Sequence, residues 1–161
     1  WEPLGIESVL DVGSGHGGPF DCHYLSAYPT VRRWATCDIF RCRACPPCWE
    51  TRDGVDACAL TEWYAPKSFD LVMCMECLEH VEDSRAALEG LCAVARKLVV
   101  ISSDDESKHD NSPGSEQRRI ELQNSHQRYR AQPRVADLLA MGFEVRVEEK
   151  GRRQLVAWRL F

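Results

Sequence analysis

Residues 9–17, Val-Leu-Asp-Val-Gly-Ser-Gly-His-Gly, constrain this chain more than any other stretch. Apolar residues end a strand, and glycines at 13, 15 and 17 follow, with Gly18 next. Glycine lets a backbone turn sharply and lets a ligand approach without a Cβ in the way. A strand running through such a turn into a helix builds a nucleotide-type site at the strand's carboxyl end. Asp11 narrows the choice. A carboxylate there repels a pyrophosphate and suits a cationic group such as an ammonium or sulfonium. The glycines alone leave two readings open: Gly13-x-Gly15-x-x-Gly18 fits a dinucleotide fingerprint, and Gly13-x-Gly15-x-Gly17 fits a methyl-donor loop.

The rest of the chain supplies the frame. Val9–Val12 closes strand one, and Pro19–Tyr28 reads as a helix stopped by Pro29. Trp34–Cys37 reads as strand two, ending at Asp38, and an irregular Cys-, Pro- and Arg-rich loop covers Phe40–Asp53. Val55–Ala59 reads as a short strand three. Phe69–Cys74 is a continuous apolar strand of the kind buried on both faces of a parallel sheet. Asp83 or Ser84 caps a helix running to about Arg96, with Ala87, Leu88, Leu91, Cys92 and Ala95 at helical spacing. Leu98–Ser102 is strand five. Residues 104–130 are polar and read as a lid, a binding loop or a disordered stretch. Pro133–Met141 is a helix with Gly142 as its stop, and Phe143–Glu148 and Gln154–Leu160 form a terminal hairpin.

Alternating strands and helices predict an α/β fold: a doubly wound, Rossmann-like, mostly parallel sheet with right-handed crossovers and a C-terminal antiparallel hairpin. The 161 residues read as a single domain. The net charge of −5 gives no general drive toward nucleic acid or anionic membrane. No apolar run reaches bilayer length and the start carries no signal-peptide pattern, so neither a membrane nor a nucleic-acid partner is expected. Nine cysteines, an odd number, do not suit a disulfide framework in a chain of this size. A reducing, cytoplasmic setting is expected.

In a sheet of this type, ligands bind outside the carboxyl ends of the strands where strand order reverses. The glycine loop, Asp38, Asp56 and the Cys74–Glu76 stretch should converge there. A carboxylate at Asp38 suits a pair of ribose hydroxyls, and Asp56 suits an adenine amino group.

These pieces resemble the class I S-adenosylmethionine-dependent methyltransferases. The resemblance runs through residues 9–17, Cys37-Asp38-Ile39, Val55-Asp56-Ala57, Ser-Phe-Asp-Leu-Val-Met-Cys-Met-Glu-Cys-Leu-Glu-His-Val at 68–81, and Gly-Phe-Glu-Val at 142–145. The 68–81 stretch is similar to the branch containing the ubiquinone-biosynthesis O-methyltransferases. The resemblance implies a seven-stranded sheet of order 3-2-1-4-5-7-6. It implies S-adenosylmethionine as cofactor, S-adenosylhomocysteine as product and a small-molecule methyl acceptor. It places Asp11, Gly13, Ser14, Gly15, His16 and Gly17 at the methionine part of the donor and Asp38 at the ribose. Ile39 would pack on adenine, Asp56 and Ala57 would border its edge, and Cys74 and Met75 would lie near the methyl. Family members usually carry helices before strand one; here eight residues precede it. The acceptor site is therefore expected to be open, or completed by residues 104–130 or by another chain.

Methyl transfer is an in-line displacement that positioning alone can accelerate. A hydroxyl acceptor also needs a base. Glu79, His80 and His126 are the candidate catalytic residues. Glu76-x-x-Glu79-His80 with His126 also resembles a divalent-metal set of some relatives, though Leu-Glu-His-Val is common where no metal binds, and no metal is expected. Cys42-x-x-Cys45-x-x-Cys48 could contribute thiolates to zinc, with Cys37 or Cys58 as the fourth ligand only if it points out of its strand. Two rival readings remain: an NAD(P)-binding oxidoreductase using the same glycines, and a non-catalytic donor-binding subunit that needs a partner. The acceptor, the atom methylated and the oligomeric state are not legible.

Overall fold

The computed structural model describes residues 2–15, 29–41, 50–104, 134–148 and 154–161. The expected helix at 19–28, the 104–130 segment and Cys42, Cys45 and Cys48 lie outside those residues, apart from Asp104 at the end of a strand. The strands are β1 (Ser8–Val12), β2 (Arg33–Asp38), β3 (Glu50–Asp53), β4 (Phe69–Met75), β5 (Ala95–Asp104), β6 (Glu144–Glu148) and β7 (Gln154–Leu160). They form one seven-stranded sheet in the order β3-β2-β1-β4-β5-β7-β6. The β3-to-β5 part is parallel, and β7 is antiparallel to both β5 and β6. This is the doubly wound sheet with a terminal hairpin that the sequence predicted. Among the described residues the α-helices are α1 (Leu60–Trp63), α2 (Ser84–Val94) and α3 (Val135–Ala140). No helix among the described residues is long and apolar enough to cross a membrane.

Alternate side chains of the central strands enter two separate apolar clusters. Leu10, Val12, Val72, Val99 and Ile101 join Leu60, Leu78, Leu88 and Leu91 in the larger one. Val9, Leu71 and Leu98 join Ile6 and Trp34 in the other. A strand with both faces covered must be apolar on successive residues, and that is why residues 9–10 of β1, 71–75 of β4 and 98–101 of β5 are unbroken apolar runs.

Three boundaries differ from expectation. Strand three is Glu50–Asp53, not Val55–Ala59. It is an edge strand whose four side chains are all exposed, so it needs no apolar pattern. Its place is set by pairing with β2, Ala35 to Glu50 through Asp38 to Asp53, and by the two-point Arg33–Glu50 ion pair. Residues 55–59 instead turn through a 3₁₀ segment at Ala57–Ala59 capped by Asp56, while Val55 and Ala57 stay buried. The second change is at α2, which stops at Val94 and passes into β5 at Ala95 with no connecting loop. The last is α3, which is shorter than expected. Gly142, at φ +80, ends it, with Phe143 N–H donating to Leu138 O at 3.0 Å.

Opposite the candidate site, Asp70 ties the amino-terminal ends of β1 and β4 together. Its carboxylate accepts from Glu7 N at 3.0 Å and Ser8 N at 3.2 Å, and lies 3.3 Å from both Arg96 and Lys97. Burial works to raise the Asp70 pKa, but the Glu7 N–H and the two cations outweigh it, so the carboxyl sits below its ordinary range.

Candidate functional site

The chain runs β1 to β2 to β3 in one direction across the sheet, then crosses to β4 and β5 on the other side of β1. The reversal opens a crevice at the carboxyl ends of β1, β2 and β4. The described glycine-loop residues, Asp38 and the end of β4 all lie there.

The loop after β1 is laced to the end of β2. Gly13, at φ +77, donates its N–H to Cys37 O at 2.8 Å, and Ser14 N–H points at the same oxygen at 3.5 Å. Gly15 N–H donates to Asp38 Oδ2 at 2.7 Å, and Phe40 N–H donates to Asp38 Oδ1 at 2.8 Å. Asp38 is 8% exposed, so its carboxylate is stabilised by these two donors rather than by bulk water. The sequence marked Asp38 as a ligand group. The structure adds a second duty: the same carboxylate fixes the path of the glycine loop. Among the described residues each oxygen takes one donor, and a carboxylate oxygen can accept a second.

A Cβ on Gly15 would meet none of the described residues within 4 Å. Gly13 is the opposite case. A Cβ there would overlap Cys77, lying 2.6 Å from its Cβ. Gly13 is therefore required both by its left-handed backbone and by the side chain that covers it. Cys77 carried no signal of this in the sequence.

Other expected residues take varied positions. Ile39 and Phe40, just past β2, and Met75, at the end of β4, are exposed apolar side chains, at 58%, 42% and 43%. Asp56 is exposed, with Oδ1 accepting from Cys58 N at 2.8 Å. Cys74 is wholly buried, so its backbone, not its thiol, can face a ligand. Asp11 is half-buried, and its charge is among the causes that raise the Cys37 and Cys74 pKa values. Burial is the main cause at Cys37, pushing its thiol up to about 12. The described acids here, Asp11, Asp38, Asp56 and Glu76, favour a cation. His16, Gly17 and His126 lie outside the described residues.

The Glu76–His80 stretch is organised by β5. Glu76 adopts φ +51, rare for a residue with a side chain. Its N–H donates to Ser102 O at 3.0 Å and its Oε1 accepts from Ser102 Oγ at 2.8 Å. Glu79, 2% exposed, accepts from Ser103 Oγ at 3.2 Å. His80 is half-buried and donates its N–H to Cys77 O at 2.9 Å. Residues 78–80 form a 3₁₀ turn. Two adjacent serines thus hold the two carboxylates, a pairing that residue spacing could not show. Among the described residues, no three His, Cys, Asp or Glu side chains are arranged to hold a metal ion.

Comparison with known proteins follows the same lines. The chain matches the methyltransferase domain family over residues 5–146. No curated protein sequence matches it. Among solved structures, it is similar to an S-adenosylmethionine-dependent methyltransferase from Archaeoglobus fulgidus, with TM-score 0.68 at 16% identity, covering 98% of this chain and 87% of that one. It is similar to the magnesium protoporphyrin IX methyltransferase of Synechocystis PCC 6803 with bound S-adenosylhomocysteine, with TM-score 0.62 at 16% identity, covering 99% and 76%. It is also similar to a Haloferax volcanii complex between the Trm112 methyltransferase activator and a protein described as a methyltransferase, with TM-score 0.68 at 12% identity, covering 96% and 82%. These likenesses concern the fold. With the family match running from before β1 into β6, the chain belongs to the methyltransferase domain family.

Proposed function

We propose that the chain binds S-adenosylmethionine across the carboxyl ends of β1, β2 and β4 and transfers its methyl group to a small-molecule acceptor. The observation that carries the reading is the Asp38 knot: a buried carboxylate at the end of β2, bonded to the Gly15 N–H of the glycine loop at 2.7 Å. Asp38 would take the ribose hydroxyls on its remaining acceptor positions. Ile39 would cover adenine, with Asp56 and Ala57 at its edge. Asp11, the glycine loop with His16 and Gly17, and the backbone of Cys74 and Met75 would hold the methionine end. Bound there, the sulfonium supplies an electrophilic methyl and a neutral thioether leaving group. The acidic surroundings fit that charge.

The chain's own residues then orient the acceptor and move its proton. Glu79 is buried and held by Ser103, so it suits fixing the turn that carries His80. His80 is the proposed proton acceptor when the nucleophile is a hydroxyl, with His126 a second candidate. A metal at Glu76, Glu79, His80 and His126 is not part of this reading. The likeness of residues 68–81 to the ubiquinone-type branch supports an oxygen acceptor. The dinucleotide and non-catalytic readings gain nothing from the family match or the neighbours.

Calorimetric titration with S-adenosylhomocysteine tests this, in parallel on Asp38→Ala. Micromolar binding is expected in the parent, with a loss of about 1.5–3 kcal/mol in the variant, the range for a hydrogen bond to a charged group. Urea titration of the variant checks that the loss is read on folded protein. Absence of binding in the parent, or preference for a reduced nicotinamide dinucleotide, would overturn the reading.

A further inference from the structure

At one end of the sheet, a strand edge and an apolar helix flank point the same way. β6 is the last strand of the sheet, bonded to β7, and among the described residues no strand pairs with its outer edge. α3 covers this end. Its Leu138 is wholly buried in one apolar cluster with Phe143, Leu155 and Ala157, and Val145 of β6 packs against that cluster. On the side toward α2, Asp137, Ala140 and Met141 face Ser84, Arg85 and Leu88 across a small cavity. A helix advances about 100° per residue, so Val135 and Leu139 fall about 160–200° from Asp137, on the flank turned away from α2. α2 leads directly into β5, and β6 lies two strands beyond β5, so that flank faces out past the edge of β6. Both side chains are exposed, Val135 at 41% and Leu139 at 57%. Val147, on the same face of β6 as Val145, is 38% exposed.

The charges of β6 decide what fits there. The strand reads Glu144-Val145-Arg146-Val147-Glu148. Antiparallel pairing with a second copy has a two-fold axis perpendicular to the sheet, and residues that face each other lie on the same face. With the axis at Val145, Glu144 of each copy stands opposite Arg146 of the other, and Val145 faces Val145. With the axis one residue on, arginine faces arginine and glutamate faces glutamate, which is destabilising. An axis at Val147 sets Arg146 opposite Glu148 but carries the pairing beyond β6, whereas the Val145 axis keeps it within residues 142–148. A guanidinium has five N–H donors, so the new pair adds to the contacts Arg146 has within its own chain. On the face that α3 covers, the same axis lays α3 antiparallel beside its copy, with the Val135 and Leu139 flanks turned toward each other. The opposite edge, β3, offers less, because its Glu50 is already held at two points by Arg33.

We propose that the chain forms a two-fold dimer through the outer edge of β6 and the Val135–Leu139 flank of α3, with the axis at Val145. The sheet then runs unbroken from one copy into the other. Antiparallel pairing points the two crevices in opposite directions, so each copy keeps its own. The proposal is independent of the donor-site reading, and ligand binding enters none of its readouts.

Sedimentation equilibrium of the chain over a concentration series tests it. The parent is expected to show a reversible monomer–dimer equilibrium. Leu139→Asp puts a charge on the apolar flank, and Glu144→Arg and Arg146→Glu each set like charges opposite one another. Each variant is expected to weaken the dimer by about tenfold or more, because the two-fold axis repeats every lost contact. All three positions are exposed, and urea midpoints check that the variants stay folded. An equimolar mixture of Glu144→Arg and Arg146→Glu should restore the dimer, since one copy then offers two arginines to the two glutamates of the other. A contact within one chain is not rescued by mixing. A parent that stays monomeric throughout the series overturns the proposal, with this edge covered by another part of the chain or by a different protein. A dimer that survives all three variants uses another surface and overturns it equally. Weakened single variants that fail to recover on mixing overturn the Val145 pairing.

Discussion

Gly13→Ala and Gly15→Ala make the same chemical change two residues apart, yet the structure assigns them different costs. Both glycines are left-handed, at φ +77 and +63. An L-residue in that region costs about 1–2 kcal/mol. At Gly15 this is the expected effect, because a Cβ there meets none of the described residues within 4 Å. At Gly13 the new Cβ lies 2.6 Å from Cys77 Cβ and overlaps its sulfur. Overpacking of this kind adds about 1–3 kcal/mol. Gly13→Ala should therefore cost about 2–5 kcal/mol in total. Urea unfolding of the two variants, analysed for midpoint at constant slope, measures the gap. Adding Cys77→Gly to Gly13→Ala should recover the contact part, seen as a coupling of about 1–3 kcal/mol in a double-mutant cycle. Equal costs at the two glycines, or no coupling to Cys77, would refute the claim that Cys77 dictates the glycine at 13.

Three further outcomes are expected. Asp70 has a folded pKa below its unfolded value, so its contribution is present above the unfolded pKa of about 3.9 and disappears as pH falls through the folded one; urea titrations of the parent and Asp70→Asn should show a shallower acid decline in the variant, and identical declines would remove Asp70 from the account. Asp83→Ala removes the acceptor for Arg85 N and Ala86 N, both at 3.0 Å, and should cost about 1 kcal/mol in thermal or urea unfolding. Cys37, with its thiol pushed up to about 12 by burial, should resist iodoacetamide at neutral pH until the chain unfolds; peptide mapping that finds native Cys37 labelled as fast as half-exposed Cys58 would contradict this.

The elements legible in the sequence are those whose signal is local. The middles of β1, β4 and β5 are apolar on successive residues because both faces of the sheet are covered. Gly13 and Gly142 mark turns because their backbones are left-handed, at φ +77 and +80. Asp38 stood out because it ends strand two at the carboxyl edge of the sheet, where a carboxylate suits ribose hydroxyls. β3 was misplaced by the same logic. An exposed edge strand has no apolar face to announce it, and the buried Val55 and Ala57 drew the assignment to a turn.

From sequence alone came the alternation of strands and helices, the glycine turn, the carboxylate at the end of β2 and the resemblance to a family, which implied the strand order and which the domain match then bore out. Only the tertiary structure decided which groups meet across the sheet. Asp38 holds the Gly15 N–H as well as that of Phe40. Ser102 and Ser103 hold Glu76 and Glu79, and Cys77 lies on Gly13. Periodicity and turn chemistry are written in neighbouring residues, whereas a hydrogen bond or packing contact between residues 23 to 64 apart depends on register, and register is set by the packed sheet as a whole.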